Sequence, residues 1–183
     1  FAPVLDLNGV SEVIGSRAFS SEPDQVIRLS GAYIKGMHLA GMKSTGKHFP
    51  GHGSVAEDSH IAMPVDKRSF EEIQEQDMRV FEQLISARKI DAIMPAHVIY
   101  PSIDSRPAGF SSIWIKQILR KKLGFEGVVF SDDLSMQAAS VAGSVTDRAE
   151  YAIEAGCDMV LVCNAPSEAE KVLDGLTQKK SYS

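Results

Sequence analysis

Short apolar segments alternate along the chain with longer segments in which apolar residues recur every three or four positions. The short segments predict strands at residues 2–7, 43–49, 91–98, 127–131 and 158–163. The longer segments predict helices at about 23–40, from Ser69 onward, and at about 112–123, 146–155 and 167–176. Such alternation indicates βαβ units, and several strands are apolar nearly throughout, as in a parallel sheet covered on both faces.

The expected fold class is α/β. Five strands cannot close an eight-stranded barrel, which typically takes about 250 residues. The pattern therefore leaves two architectures, an open doubly wound sheet and a (β/α)8 TIM-like barrel that lacks its first strands and its closing end. The opening segment FAPVLDL reads as a strand already under way, which favours the incomplete barrel. We expect residues 1–183 to form a single, partial catalytic barrel domain.

Polar and titratable residues collect where the predicted strands end. These residues are Asp6, His48, His97, Asp132 with Asp133, and Asn164. Right-handed crossovers bring the carboxyl ends of parallel strands to one edge of the sheet. In barrels and open sheets alike that edge carries the chemistry, so we expect the functional site there.

Composition narrows the classes of function. The 183 residues are 44% hydrophobic and 23% charged, with a net charge of -5, which is typical of a globular domain and argues against a nucleic-acid partner. No apolar run approaches the roughly 20 residues of a membrane span, and no signal-peptide pattern opens the chain. The two cysteines, Cys157 and Cys163, lie too far apart along one predicted strand for a disulfide. We expect reduced core thiols and a cytoplasmic protein.

The segment KHFPGHGSVAEDSH, from Lys47 to His60, concentrates three histidines and two carboxylates. A metal site using His48, His52 and His60 is one interpretation. The spacing of four between the first two suits a helical zinc motif, but Pro50 and the flanking glycines exclude a helix there.

Proton transfer is the second interpretation of this segment. Asp58 and His60 are two residues apart, so in an extended loop their side chains point the same way. A carboxylate beside an imidazole sets its tautomer and favours its cation, which leaves the other nitrogen free to exchange a proton. A solvated polar loop without chemistry remains the third interpretation.

The segment GFEGVVFSDDLSM, residues 124–136, delivers Asp132 and Asp133 at the end of a predicted buried strand. A carboxylate in that position can act as a nucleophile, a metal ligand or a helix cap. A carboxylate at the sheet edge together with a mobile acid–base group is what glycoside cleavage needs. The second group is usually another carboxylate, so a histidine would be a variant, and composition alone does not establish it.

Other residues receive no catalytic role. We expect His38 to be a helix histidine with a satisfied hydrogen bond, Trp114 to pack in the core from a helix, and His52 to brace its loop. For Asp133 capping or orientation is expected, and for His97 packing and ligand contact remain equally open.

The two motifs KHFPGHG…DSH and GFEGVVFSDDLSM resemble glycoside hydrolase family 3, specifically its bacterial β-N-acetylglucosaminidase branch. The likeness continues through FAPVLDL, IGSRAFSSEP, GMKSTGKHFPGHG, DAIMPAHVIYPSID and AGCDMVLVCN, in order along nearly the whole chain. The resemblance implies a (β/α)8-like barrel, part of which precedes FAPVLDL in the family. It also implies removal of β-linked N-acetylglucosamine with retention, through a covalent glycosyl-enzyme.

The resemblance also implies a role for particular residues. The aspartate after Ser131 corresponds to the nucleophile, which is Asp132. The histidine of DSH corresponds to the acid/base, so His60 takes that role with Asp58 as its partner. Lys47, His48 and Arg17 correspond to residues that bind the sugar.

The leading hypothesis is therefore a retaining glycosidase that acts on cell-wall muropeptides in peptidoglycan recycling. We expect no cofactor, no metal, no nucleic-acid or membrane partner, and a monomer when complete. The alternatives are a metal-dependent hydrolase that uses His48, His52 and His60, and an inactive fragment that only binds sugar.

Overall fold

Parallel strands form the central sheet of the computed structural model, which describes residues 2–56 and 63–180. The strands are β1 (Thr45–Phe49), β2 (Ala92–Pro95), β3 (Ile99–Tyr100), β4 (Asp104–Pro107), β5 (Val128–Asp133) and β6 (Met159–Leu161). The main sheet has the order β1-β2-β5-β6 with parallel pairing, while β3 and β4 form a separate antiparallel pair. The parallel sheet confirms the α/β class.

Helices precede, separate and follow the strands of the main sheet. They are α1 (Pro23–Leu39), α2 (Phe70–Ile73), α3 (Arg79–Ser86), α4 (Val145–Ala155) and α5 (Pro166–Lys180). A π-helical segment, Gln74–Met78, joins α2 to α3, and a second one spans Ile113–Lys122. Short 3₁₀ helices lie at Gly15–Arg17, Ala108–Phe110 and Gln137–Ala142. All five predicted helices are present, within a few residues of their predicted bounds.

Local signals explain where several helices begin and end. The Ser69 side chain accepts a hydrogen bond from the N–H of Glu72, whose side chain returns one to Ser69, which completes the predicted capping box. Ser144 and Asp147 cap α4 in the same way. Gly156 ends α4 with a left-handed φ of 118°, a conformation that glycine adopts without a steric cost.

Aromatic residues fill the core between the sheet and the helices. Trp114 is fully buried, and its ring meets those of Phe49 and Tyr100 edge to face at 5.9 and 5.1 Å. Phe49 also meets Phe81 edge to face at 5.3 Å. Such pairs add about 0.5–1.5 kcal/mol each to the burial of their area. The packing role predicted for Trp114 is confirmed.

Two sequence predictions differ from the structure, and one pair of strands was not predicted. Residues 2–7 form a single parallel bridge, Val4 with Lys47, instead of a strand, and Pro3 contributes only its carbonyl to the pairing because proline has no N–H. The β3–β4 pair was not predicted, since its second strand is mostly polar and exposed. Cys157 is buried as expected, but Cys163 is exposed because β6 ends at Leu161, before that cysteine.

Candidate active site

Lys47 and His48 are neighbours in β1, yet both line the same cavity. In a regular strand adjacent side chains point to opposite faces. Here Lys47 pairs with Met94 of β2, and Phe49 already pairs with the next residue, Pro95. His48 is therefore the extra residue of a β-bulge, and bulges redirect side chains. Phe49 stays in the core while the two polar side chains reach the cavity.

The cavity has a volume of about 100 Å³ and lies at the carboxyl ends of β1 and β5. Its polar lining consists of Arg17, Lys47, His48, His52 and Asp132. Val13, Ile14 and Met136 supply its apolar lining. The structure thus brings together the four described residues to which the sequence assigns a role, whereas a larger cavity of about 320 Å³ beside α1 contains no carboxylate.

Asp132 is half-buried at the end of β5. Its Oδ1 accepts a hydrogen bond from the N–H of Asp133 at 2.8 Å, and its second oxygen makes no hydrogen bond within residues 2–56 and 63–180. Burial alone would raise the pKa of Asp132, but His48, His97 and Lys47, when positively charged, and the N–H of Asp133 together lower it. An ionised carboxylate with one unpaired oxygen can attack an electrophilic carbon.

Asp6 lies beneath His48 and is almost completely buried. Its Oδ2 lies 2.7 Å from Nδ1 of His48, and the N–H groups of His48 and His52 donate to its carboxylate at 3.2 and 2.7 Å. Burial would raise the pKa of Asp6, but its contacts with the two histidines lower it. The sequence places Asp6 at the sheet edge without a partner, and only the structure shows that it supports His48.

His52 lines the cavity as well as bracing its loop. Its backbone N–H donates to Asp6, as the predicted bracing role requires, but its ring also belongs to the cavity wall. Burial lowers the pKa of His52, and so does the charge of His48 whenever that ring is protonated, which favours the neutral imidazole.

The two glycines around His52 have steric reasons to be glycine. A Cβ on Gly51, which has a φ of 150°, would overlap the side chain of Asp77. A Cβ on Gly53 would overlap the carbonyl oxygen of Leu7. The segment therefore packs directly against the backbone that follows Asp6.

A buried polar cluster supports the segment from below. Tyr100 is fully buried and its hydroxyl donates to the carbonyl of Gly51 at 2.6 Å. Arg68 pairs with Asp66 at 2.6 Å and with Asp77 at 2.7 Å. Burial raises the pKa of Asp77 to about 6 despite the neighbouring guanidinium. These contacts fix Gly51, which precedes residues 57–62, and Asp66, which follows them.

Asp133 and His97 organise the end of β5. The Asp133 carboxylate accepts from the N–H and hydroxyl of Ser135 at 3.0 and 2.7 Å and from the N–H of Cys163 at 2.9 Å. The Asp133 side chain thus holds the turn after β5, and its capping or orienting role stays a prediction. His97 is fully buried, stacks on Phe110 and lies 3.2 Å from the Asp133 carbonyl through Nε2. Packing, which the sequence left open, is the role that the structure shows for His97.

Asp58 and His60 lie outside the described residues, so their positions stay predictions. The proposed metal set of His48, His52 and His60 includes one of them. Among the described residues no group of three or more His, Cys, Asp or Glu side chains is arranged to hold a metal ion. The Nδ1 of His48 already faces Asp6, which leaves only its Nε2 for a ligand.

A family model ties this geometry to known proteins. The model described as "Glycosyl hydrolase family 3 N terminal domain" matches residues 1–181. The chain belongs to glycosyl hydrolase family 3. This confirms the family to which the sequence motifs point.

Known proteins are similar to this chain in sequence and in fold. A "Beta-hexosaminidase" of Tolumonas auensis is 60% identical over 176 residues, which are 96% of this chain and 53% of the relative. NagZ from Neisseria gonorrhoeae, solved with N-trifluoroacetyl-D-glucosamine, has a TM-score of 0.87 and 50% identity, over 96% of this chain and 50% of that one. The structure of NagZ from Neisseria gonorrhoeae with a zinc ion has a TM-score of 0.85 and 48% identity, over 96% of this chain and 49% of that one.

The family 3 chain spans about half the length of the relatives it matches. The relatives confirm the predicted TIM-barrel class at the level of fold, since the described sheet superposes on theirs. Among the described residues no helix is both long and apolar enough to cross a membrane.

Proposed function

We propose that this chain carries the nucleophile and the sugar-binding residues of a retaining β-N-acetylhexosaminidase. The observation that carries the proposal is the Asp132 carboxylate in a cavity that it shares with Arg17, Lys47 and His48, where one of its oxygens accepts no hydrogen bond from the part of the chain that the structure describes. The lowered pKa of Asp132 favours its ionised form. The relatives named Beta-hexosaminidase and the solved NagZ with an N-acylglucosamine support the same activity.

The first half-reaction forms a covalent glycosyl-enzyme. The Oδ2 of Asp132 attacks the anomeric carbon, and the bond from that carbon to the leaving oxygen breaks with its electron pair on the oxygen. The imidazolium of His60, supported by Asp58, gives the leaving oxygen its proton. The lowered pKa of Asp132 keeps the carboxylate ionised for the attack.

The second half-reaction releases the sugar with retention. The oxygen of a water molecule attacks the anomeric carbon, its proton passes to the neutral His60, and the bond to Asp132 breaks. A histidine serves both steps well because its ordinary pKa, about 6.5, lies near the operating pH.

The cavity lining suits an N-acetylated sugar. Arg17, Lys47 and His48 offer hydrogen-bonding groups for hydroxyls and for the acetamido carbonyl, and they position the anomeric carbon over Asp132. Val13, Ile14 and Met136 give the cavity an apolar wall beside these donors. Mixed walls of this kind are typical of sites that bind small ligands.

The finer assignments rest on the family resemblance. We propose that the substrates are muropeptides released from the cell wall and that the enzyme works in peptidoglycan recycling in a bacterial cytoplasm. We propose further that residues 1–183 belong to one catalytic barrel domain, and that the complete protein is a monomer without a cofactor.

Hydrolysis by the full-length wild-type protein and by a matched pair of variants tests the proposal. Wild-type protein should hydrolyse an aryl β-N-acetylglucosaminide at the same rate with and without a chelator, and NMR of the first product should show the β-anomer. Asp132→Asn should lower kcat roughly 10⁴-fold, as expected for removal of a nucleophile, while Asp133→Asn should keep more activity. An α-anomer as first product would contradict retention.

The metal-dependent hydrolase is the second candidate, because a solved relative holds a zinc ion. It predicts loss of activity in chelator, recovery on adding zinc, and stoichiometric metal in the purified protein. Full activity in chelator would exclude it.

A further inference from the structure

Asp6 lies beside the cavity without lining it, and both of its carboxylate oxygens have hydrogen-bond partners. Asp6 is 1% exposed and reaches its partners across 42 and 46 residues of sequence. Its two oxygens receive the backbone N–H groups of His48 and His52, and Oδ2 faces Nδ1 of His48 at 2.7 Å. Every group that points at this carboxylate is therefore a donor or can act as one.

An ionised carboxylate only accepts hydrogen bonds. The ring nitrogen that faces Oδ2 at 2.7 Å must therefore carry its proton, since two lone pairs at that distance would repel each other. The cation carries a proton on both ring nitrogens, whereas neutral imidazole has a single N–H. Whenever His48 is neutral, its one N–H is therefore on Nδ1, and Nε2 carries a lone pair. Because the Nδ1 edge is turned to Asp6 and the ring lines the cavity, Nε2 is the ring nitrogen left for a ligand in the cavity.

We propose that Asp6 is a positioning residue that holds neutral His48 in its Nδ1–H tautomer, so that in this form Nε2 accepts a hydrogen bond from a hydroxyl of the bound sugar. The proposal rests on the proposed function, since it assigns the ligand of the same cavity. Lys47 and Arg17 can only donate, whereas a sugar hydroxyl both donates and accepts. An acceptor among these donors restricts which hydroxyl arrangement fits.

The same carboxylate also fixes the position of the ring. Two of its partners are backbone N–H groups on either side of the turn at Pro50 and Gly51, so Asp6 ties the bulge of β1 to the segment that follows. A ring held on a rigid backbone by a buried anion loses little further freedom when the sugar binds.

Asp6→Asn is the discriminating variant because it keeps the size of the side chain. The amide oxygen can still accept the backbone N–H groups, but the amide N–H₂ would then face Nδ1 and donate to it. We therefore expect the variant to reverse the tautomer of His48 and to turn Nε2 from an acceptor into a donor.

Nitrogen-15 NMR of histidine-labelled full-length protein measures the tautomer directly. A pH of about 8 is chosen because it lies well above the ordinary histidine pKa of about 6.5. Wild-type protein should show protonated Nδ1 and bare Nε2 at His48, and Asp6→Asn should show the reverse. Asp104→Asn is the matched control, since it removes a half-buried carboxylate that accepts from Ser111 at 2.6 Å in the separate β3–β4 pair. A wild-type His48 with protonated Nε2 would overturn the proposal, and this readout is independent of turnover.

Activity provides the second test. Asp6→Asn should lower kcat/KM on an aryl β-N-acetylglucosaminide by about 10- to 100-fold, the usual cost of losing a residue that orients a functional histidine. In a His48→Ala background the same change should cost less than about twofold, because its effect passes through the missing imidazole. Full additivity of the two changes would show that Asp6 acts only on the fold and would overturn the positioning role. Inactive wild-type protein would instead contradict the proposed function and leave the tautomer result standing.

Discussion

Replacing Tyr100 with phenylalanine isolates one hydrogen bond beneath the active-site segment. The hydroxyl of Tyr100 donates to the carbonyl of Gly51 at 2.6 Å, and both residues are buried. Burial raises the pKa of Tyr100 well above its ordinary value, so the hydroxyl remains a donor across the working pH range. Phenylalanine fills the same space and creates no large cavity. The carbonyl of Gly51 would lose its partner in a place that water does not reach.

The expected cost follows from that lost partner. A buried carbonyl left without a hydrogen bond costs about 1–3 kcal/mol. We therefore expect Tyr100→Phe to lower the free energy of unfolding by about 2 kcal/mol. Because Gly51 precedes His52 of the cavity wall, we also expect a loss of kcat/KM on an aryl β-N-acetylglucosaminide.

Equilibrium unfolding of the full-length protein in urea measures this cost. The matched control is Tyr151→Phe on α4, where the side chain is 47% exposed and the loss should stay within about 0.5 kcal/mol. The slope of the unfolding free energy against urea should be equal in all three proteins, which shows that the same surface is exposed on unfolding. If Tyr100→Phe were as stable as Tyr151→Phe, the hydroxyl would not support the segment.

Three further predictions test the packing, the charge and the chemistry. Gly53→Ala should lower the free energy of unfolding in urea by about 3 kcal/mol, because its Cβ would overlap the backbone of Leu7. Gly36→Ala is the control, and it should raise that free energy by about 0.5–1 kcal/mol because α1 leaves open space there. The folded-state pKa of Asp6 is lowered, so its contribution to stability is complete above the unfolded pKa and is lost as the pH falls through the folded one. Unfolding free energies from about pH 6 to about pH 3 should therefore fall more steeply in wild-type protein than in Asp6→Asn. His60→Ala should retain more activity on an aryl glycoside, whose leaving group needs little protonation, than on a disaccharide, and equal losses would contradict the acid role.

The structure also explains the pattern GHG in the histidine segment. The sequence shows two glycines that exclude a helix, which weakens the zinc interpretation, but it does not show why they are glycine. The reasons lie in distant parts of the chain, in the side chain of Asp77 and the backbone of Leu7. Close backbone approach at Gly53 places the segment beside Asp6 and its histidine partners.

Much of the fold follows from the sequence because its determinants are local. Periodic apolar residues predict the five helical regions, in which α2 and α3 count as one region and the π-helix Ile113–Lys122 as another. The capping box at Ser69 follows directly from the residue types. The apolar runs predict the four strands of the main sheet. The same order along the chain predicts that His48 and Asp132 meet at one edge of the sheet, as they do, whereas Lys47 was assigned to the site only by the family resemblance.

Tertiary structure decided what depends on register and on distant partners. Residues 2–7 look like a strand but form one bridge, because Pro3 lacks a donor and pairing reaches only Lys47. The β-bulge at His48 arises from a register shift against β2, and no pattern within β1 reveals it. Sequence determined which groups could do the chemistry. The fold decided which of them touch, since a hydrogen bond between Asp6 and His48 requires two segments 42 residues apart to pack at one register.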